Sequence, residues 1–199
     1  VADVDGNMYH SVKIGNQTWL MENLKVTHYR NGDPIPNITD STAWGNQTTG
    51  AMCWYENNYA TYGTVYGGLY NWYTTVDSRG VAPAGWHVPS DEEWTTLKAY
   101  LGGNQGNVGG KLKETGFAHW LPPNTGATNS TGFTALAAGW IGEPAIPIGK
   151  YGVFWSSTEV APNSRDAWIK LLSNNSDALF NDQSATKDVG ASVRCVKDY

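Results

Sequence analysis

A chain of 199 residues with a net charge of −5 and no basic run has little with which to neutralise a phosphate backbone or an anionic membrane, and none of its apolar stretches is long enough to cross a bilayer. Ten Trp and eleven Tyr stand against four Phe, among 23 Gly and many Asn, Thr and Ser; such rings suit a loop-rich core and also surfaces that stack on a ligand while staying wet. The length favours one domain over two small ones.

The N-terminal stretch alternates, with Met8, His10, Val12 and Ile14 on one side and Tyr9, Ser11 and Lys13 on the other. Gly15-Asn16 then turns the chain into Thr18–Met21, so a hairpin is expected. Leu24 to Arg30 reads as a further strand, closed by Asn31-Gly32-Asp33-Pro34, and the run to Ala51 as a long irregular excursion. Tyr66, Leu69, Tyr70, Tyr73 and Val76 recur at helical spacing and predict a first helix, despite the cost of Gly67-Gly68.

The sharpest local signal is Pro83 to Trp94. Ser90 is a strong N-cap, Glu93 stands three residues on to complete a capping box, and Asp91, Glu92 and Glu93 favour the positive end of the helix dipole. Trp94, Leu97 and Leu101 then share a face, and Gly102 supplies a left-handed stop. A short third helical piece is expected over Val108 to Glu114. Beyond Thr115 the candidates are strands: Phe133–Ala137, Gly152–Ser156, Ala167–Leu172, Ala178–Asn181 and Ala191–Val196. Trp155 and Trp168 read as core residues of paired strands, and Arg194 as the partner of a nearby carboxylate. This order of hairpin, two helices and a run of antiparallel strands is that of an α+β fold.

Cys53 and Cys195 are too few for a thiolate zinc site and lack C-x-x-C spacing; one long-range disulfide and two unpaired thiols both fit. His10, His28, His87 and His119 are scattered, with no H-E-x-x-H pair, and there is no G-x-S-x-G turn or phosphate loop. His87, set before a capped helix, reads as a structural hydrogen-bonding residue. Glu143 with Glu159, or Asp177 with Asp182, are the carboxylate pairs that a glycosidase would need, although loop positions more often leave carboxylates solvated.

Taken together, several segments resemble the Fibrobacter succinogenes major paralogous domain: Val12-Lys13-Ile14-Gly15-Asn16-Gln17-Thr18-Trp19, Tyr66-Gly67-Gly68-Leu69-Tyr70-Asn71-Trp72-Tyr73, Gly85-Trp86-His87-Val88-Pro89, Trp155-Ser156-Ser157-Thr158-Glu159 and Ser192-Val193-Arg194-Cys195-Val196. They run in family order over nearly the whole chain. The resemblance implies a C-type-lectin-like fold, two helices on a twisted antiparallel sheet with long loops, in an extracellular or cell-surface protein. Members often carry a Cys just before the Pro-x-Gly-Trp-His run, where this chain has Ala82; if that Cys pairs with the position of Cys195, Cys53 is the one partner left here.

In a lectin-like fold the loop-rich region forms the ligand face. Trp120 and Trp140 are therefore the expected stacking platforms, the equal alternative being that they pin long loops to the core, with Asn124, Asn129 and Glu143 as polar contacts and Trp44 and Tyr151 as weaker candidates. Glu143-Pro144 is followed by Ala145, which has no side-chain oxygen for the Glu-Pro-Asn arrangement of calcium-dependent lectins. A structural calcium elsewhere is left without assigned ligands, and no other cofactor is expected. The functional expectation is a non-catalytic module that binds polysaccharide or glycan, monomeric within a larger secreted or lipid-anchored protein. The alternatives are a protein-binding adhesion domain and a carbohydrate-active enzyme.

Overall fold

The computed structural model describes residues 1–199. Strands β1 (Ser11–Ile14) and β2 (Gln17–Leu20) form the expected hairpin, with Gly15 at φ +62° in the two-residue turn and register from Ser11↔Leu20 to Ile14↔Gln17. There follow α1 (Ser41–Gly45), β3 (Met52–Cys53), α2 (Thr64–Tyr66), β4 (Leu69–Tyr70), α3 (Trp72–Thr75), β5 (Trp86–His87), α4 (Asp91–Tyr100) and α5 (Val108–Leu112). The C-terminal third supplies the long strands β6 (Tyr151–Glu159), β7 (Asp166–Ser173) and β8 (Leu179–Thr186), and then the short β9 (Val196–Lys197).

Three sheets result. One has the order β1-β2-β9-β5, so the two ends of the chain pair through Trp19↔Val196. A second is β3-β4, and the third is the antiparallel β6-β7-β8. This third sheet packs an apolar cluster against each of its faces. Val153, Trp155, Ala167, Ile169 and Ala185 point into a cluster with Leu24, Val26, Trp72, Trp86 and Val193. Phe154, Leu172 and Leu179 point the other way, against Trp19, Trp94, Leu97, Trp120 and Phe133. In that second cluster Trp19 and Trp94 lie 4.7 Å apart between ring centroids, a tilted contact of the kind aromatic quadrupoles favour.

Helix α4 forms as its sequence demands. The Ser90 hydroxyl accepts from the Glu93 amide, the Glu93 carboxylate accepts from the Ser90 amide, and Gly102 follows at φ +113°. Trp94 and Leu97 are fully buried.

Elsewhere tertiary packing overrides local pattern. Tyr9, and not Met8, faces inward: its hydroxyl donates to Asp3 and accepts from the Lys25 amide, which places the phase of the alternation one residue away from that expected before His10. Leu24–Arg30 is buried at Leu24, Val26 and Tyr29 but is not a strand. Its amides go to scattered partners, Leu24 to the Val193 carbonyl, Tyr29 to that of Asp33 and Arg30 to that of Gly80, so no ladder forms. Phe133–Ala137 likewise makes one isolated bridge, Lys113↔Ala135, and Ala191–Val196 is held mostly by single bridges to Tyr70 and Phe154.

The helix expected from Tyr66 to Val76 is broken into α2, β4 and α3. Gly67 lies at φ +82°, and a Cβ there would stand 2.7 Å from the Leu24 carbonyl oxygen, while the Gly68 amide donates to that same oxygen. The glycine pair is what lets two backbones touch. Gly67→Ala is therefore expected to cost more than its conformational strain of about 1–3 kcal/mol. Gly85→Ala, at φ +78° with open space around it, should cost only the conformational part, ~1–2 kcal/mol. Urea denaturation of both variants checks this, and equal losses would contradict it.

Candidate functional site

An open cleft of about 480 Å³ lies between α4, the loop that follows it, and the β7–β8 edge. Its walls carry Asp91 and Lys98 from α4, Trp168 from β7, and Phe180, Asn181 and Asp182 from β8. The backbone of Gly103, Asn104 and Gly106 closes one side.

Each wall residue is placed by an identifiable local cause. Trp168 shares the face of β7 with Lys170 and Leu172, since strand side chains alternate. Leu172 reaches the core, but Trp168 lies beyond its rim and stays half-buried. The β7–β8 pairing slips between Ile169↔Gln183 and Leu171↔Phe180, so Asn181 and Asp182 together oppose Lys170. Such a bulge bends the edge strand and re-aims its side chains. The Asn181 amide donates to Thr95 Oγ1 of α4 at 2.9 Å, while its Oδ1 finds no partner within the protein. Asp91 begins α4, where its backbone N–H donates to Thr158 Oγ1 of β6.

At the floor of the cleft the Lys170 side chain is fully buried. Its ammonium donates to the Asp91 carboxylate and, at 2.7 Å, to the Asn181 carbonyl. Burial pushes the Lys170 pKa below that of an ordinary lysine, against the opposing pull of Asp91. Asp182 stays exposed with no cationic partner.

The residues expected to bind ligand are dispersed. Trp120 is 1% exposed and its indole N–H donates to the Ala135 carbonyl at 2.9 Å, so it pins a loop to the core and offers no face to a ligand. Asn124 (φ +44°) and Asn129 (φ +47°) occupy left-handed turn positions that asparagine tolerates. Asn124 donates to the Glu114 and Gly116 carbonyls, and Asn129 exchanges hydrogen bonds with Thr134, so both amides serve their own loops. Trp44 is buried, donating to the Asp188 carbonyl. Trp140 and Tyr151 are half-buried against the first core cluster, and the Trp140 N–H is taken by the Pro144 carbonyl of its own loop. Glu143 is exposed. Glu159 is engaged by Lys187 at 2.6 Å, and Asp177 does not line the cleft that Asp182 enters.

Trp168, expected in the core, instead stands partly exposed on the wall of this cleft. The sequence carries one sign of this: Trp168 alternates with Lys170 on a single face of the strand.

Cys53 and Cys195 are both free and buried, in different clusters, and burial pushes the Cys53 thiol up to about 12. No three His, Cys, Asp or Glu side chains converge as metal ligands, and no helix is long and apolar enough to cross a membrane.

A second, more open recess of about 520 Å³ contains His87, Glu93, Ser157 and Tyr199. The His87 ring bridges Asp198 at 2.7 Å and Glu93 at 2.8 Å, tying the chain end to the α4 capping box. Burial alone would lower the His87 pKa, but the hydrogen bonds to Asp198 and Glu93 outweigh it and hold the value above 6.5. A raised folded-state pKa stabilises the protein fully below the unfolded value and loses that contribution as pH rises through the folded one. His87→Gln should therefore destabilise by about 1 kcal/mol or less at acidic pH, as solvent-accessible ion pairs do. That deficit should shrink as denaturation is repeated at pH values progressively above 6.5; a constant or growing deficit would contradict the assignment.

Residues 12–197 match the family model described as the Fibrobacter succinogenes major domain, and the chain belongs to that family. No curated protein and no solved structure matches it.

Proposed function

We propose that this member of the Fibrobacter succinogenes major domain family is a non-catalytic glycan-binding module, and that the Trp168 cleft is where the sugar lies. One observation carries the reading: a partly exposed indole stands in an open groove beside an exposed carboxylate, Asp182, that has no cationic partner. Pyranose rings offer an apolar face of C–H groups and a rim of hydroxyls, and they are gripped by stacking on an aromatic plane together with carboxylate and amide acceptors. The cleft provides the aromatic plane of Trp168 and the carboxylate of Asp182.

Its charges favour binding over cleavage. Glycoside hydrolysis uses two carboxyl groups flanking the scissile bond. Asp91 is committed to Lys170, which leaves Asp182 without a second free carboxylate in the cleft. We read the fold as C-type-lectin-like, on the pairing of the chain's two ends in one sheet and the long irregular connections between strands. The corresponding setting is a secreted or cell-surface protein in which this is one monomeric module. A structural calcium remains outside the reading, since no side-chain cluster argues for one.

Affinity-gel retardation on plant and bacterial polysaccharides tests the proposal. Losing one indole face, roughly 80 Å² of contact at about 25 cal/mol/Å², removes ~2 kcal/mol. Trp168→Ala should accordingly weaken retardation more than about tenfold, and Asp182→Ala should weaken it also. Trp140→Phe should leave it unchanged. Retardation that survives Trp168→Ala, or wild-type protein that no polysaccharide retards, would overturn the proposal.

A further inference from the structure

The Asp91–Lys170 pair has features that an ordinary ion pair does not need. The Lys170 side chain is fully buried at the centre of β7, the middle strand of its sheet. Its ammonium meets one carboxylate, that of Asp91, and otherwise only a backbone carbonyl. Asp91 is held from three directions: by its place at the first position of α4, by the capping box formed on Ser90, and by the hydrogen bond from its own amide to Thr158 on β6. The aromatic side chains of Trp168 and Phe180 flank the same cleft. Asp182 and Lys98 are the charged groups that face the pair, from β8 and from α4. The amine is thus held, out of water, against a carboxyl that is itself 32% exposed to the cleft, and burial disfavours the charged form of that amine.

We propose that Lys170 and Asp91 condense to an intramolecular isopeptide bond, a covalent tie between α4 and β7. The atoms balance with no added reagent. A proton passes from the Lys170 ammonium to the Asp91 carboxylate with which it is in contact, and the freed Nζ lone pair attacks Cγ. The Cγ–O bond to the protonated oxygen then breaks, and one water leaves through the open cleft. The product is a neutral amide in place of two charges. Asp182, the other carboxylate lining the cleft, takes the second amine proton in this scheme and returns it to the departing hydroxyl. In dilute solution such a condensation runs uphill, but groups held in reactive alignment reach effective molarities of about 10⁵–10⁸ M. The buried ammonium also sheds its desolvation penalty when it becomes an amide. The inference does not depend on what the cleft binds.

The bond would join positions 79 residues apart in the sequence. It would close a long loop of the unfolded chain, the situation in which a cross-link stabilises most. It would also make the floor of the cleft permanent, where an ion pair could exchange with solvent.

Intact-mass measurement of the purified protein decides the matter. The expected mass is one water below that of the sequence, and a protease digest should yield a branched peptide containing both Asp91 and Lys170. Asp91→Ala and Lys170→Met should each restore the full mass for their sequence. Asp182→Asn should leave a larger uncross-linked fraction than wild type; complete cross-linking there would remove Asp182 from the step. A wild-type mass equal to the sequence, with Asp91 and Lys170 recovered in separate linear peptides, would overturn the proposal. Because that result comes from the wild-type protein, it stands even if the variants fail to fold.

Discussion

The fold turns on a guanidinium that never meets a carboxylate. Arg194, fully buried, donates through Nε to Asn23 Oδ1 at 2.7 Å, through one terminal nitrogen to the carbonyls of Leu20 and Phe133, and through the other to the carbonyl of Thr134. Its plane also lies 4.4 Å from the centre of the Phe133 ring. One side chain near the C-terminus thus joins the N-terminal hairpin to the loop that follows α5. Burial pushes its pKa down, to about 9, so it keeps its charge at neutral pH. A guanidinium suits this position because its forked donors can reach four acceptors at once, whereas an ammonium is a compact point donor.

The same device recurs twice. Lys113 is fully buried, and its ammonium donates to the carbonyls of Thr125, Ser173 and Ser176, tying the loop after α5 to the β7–β8 turn. Burial pushes its pKa down to about 8. Lys170 holds the bulged edge of β8 to α4. In a chain with so many irregular connections, backbone carbonyls left without ladder partners would be costly to bury. The three buried cations take up seven such carbonyls between them. The Trp168 cleft is a consequence of the third, because the β8 bulge that feeds the Asn181 carbonyl to Lys170 also turns Asn181 and Asp182 toward the groove.

What could be read from the residues was whatever rests on local chemistry. The Gly15-Asn16 turn, the Ser90–Glu93 capping box and the Gly102 stop each involve neighbours within a few positions, and all three stand as expected. The long strands near Trp155 and Ile169 were legible as well, their apolar content being high. The errors fall where a partner distant in sequence decides the outcome. Leu24–Arg30 has the composition of a strand, yet its amides are claimed by separate segments. Tyr66–Val76 has helical spacing, yet Gly67 is held against Leu24. Trp120 lies in a Pro- and Asn-rich stretch that reads as exposed loop, but its ring fills the second core cluster. Arg194 was expected to answer a carboxylate, and carbonyls that no sequence pattern advertises take that place.

The central claim is that Arg194 is needed for its hydrogen bonds and not merely for its bulk. Urea denaturation of Arg194→Met tests it most directly, since methionine keeps much of the volume and removes every donor. Buried acceptors left without donors cost about 1–3 kcal/mol each, so the account predicts a loss of at least ~3–5 kcal/mol at an unchanged denaturant slope, or failure to fold. A variant within ~1 kcal/mol of wild type would show that the apolar packing around Phe133 and Phe154 suffices, and would contradict the account.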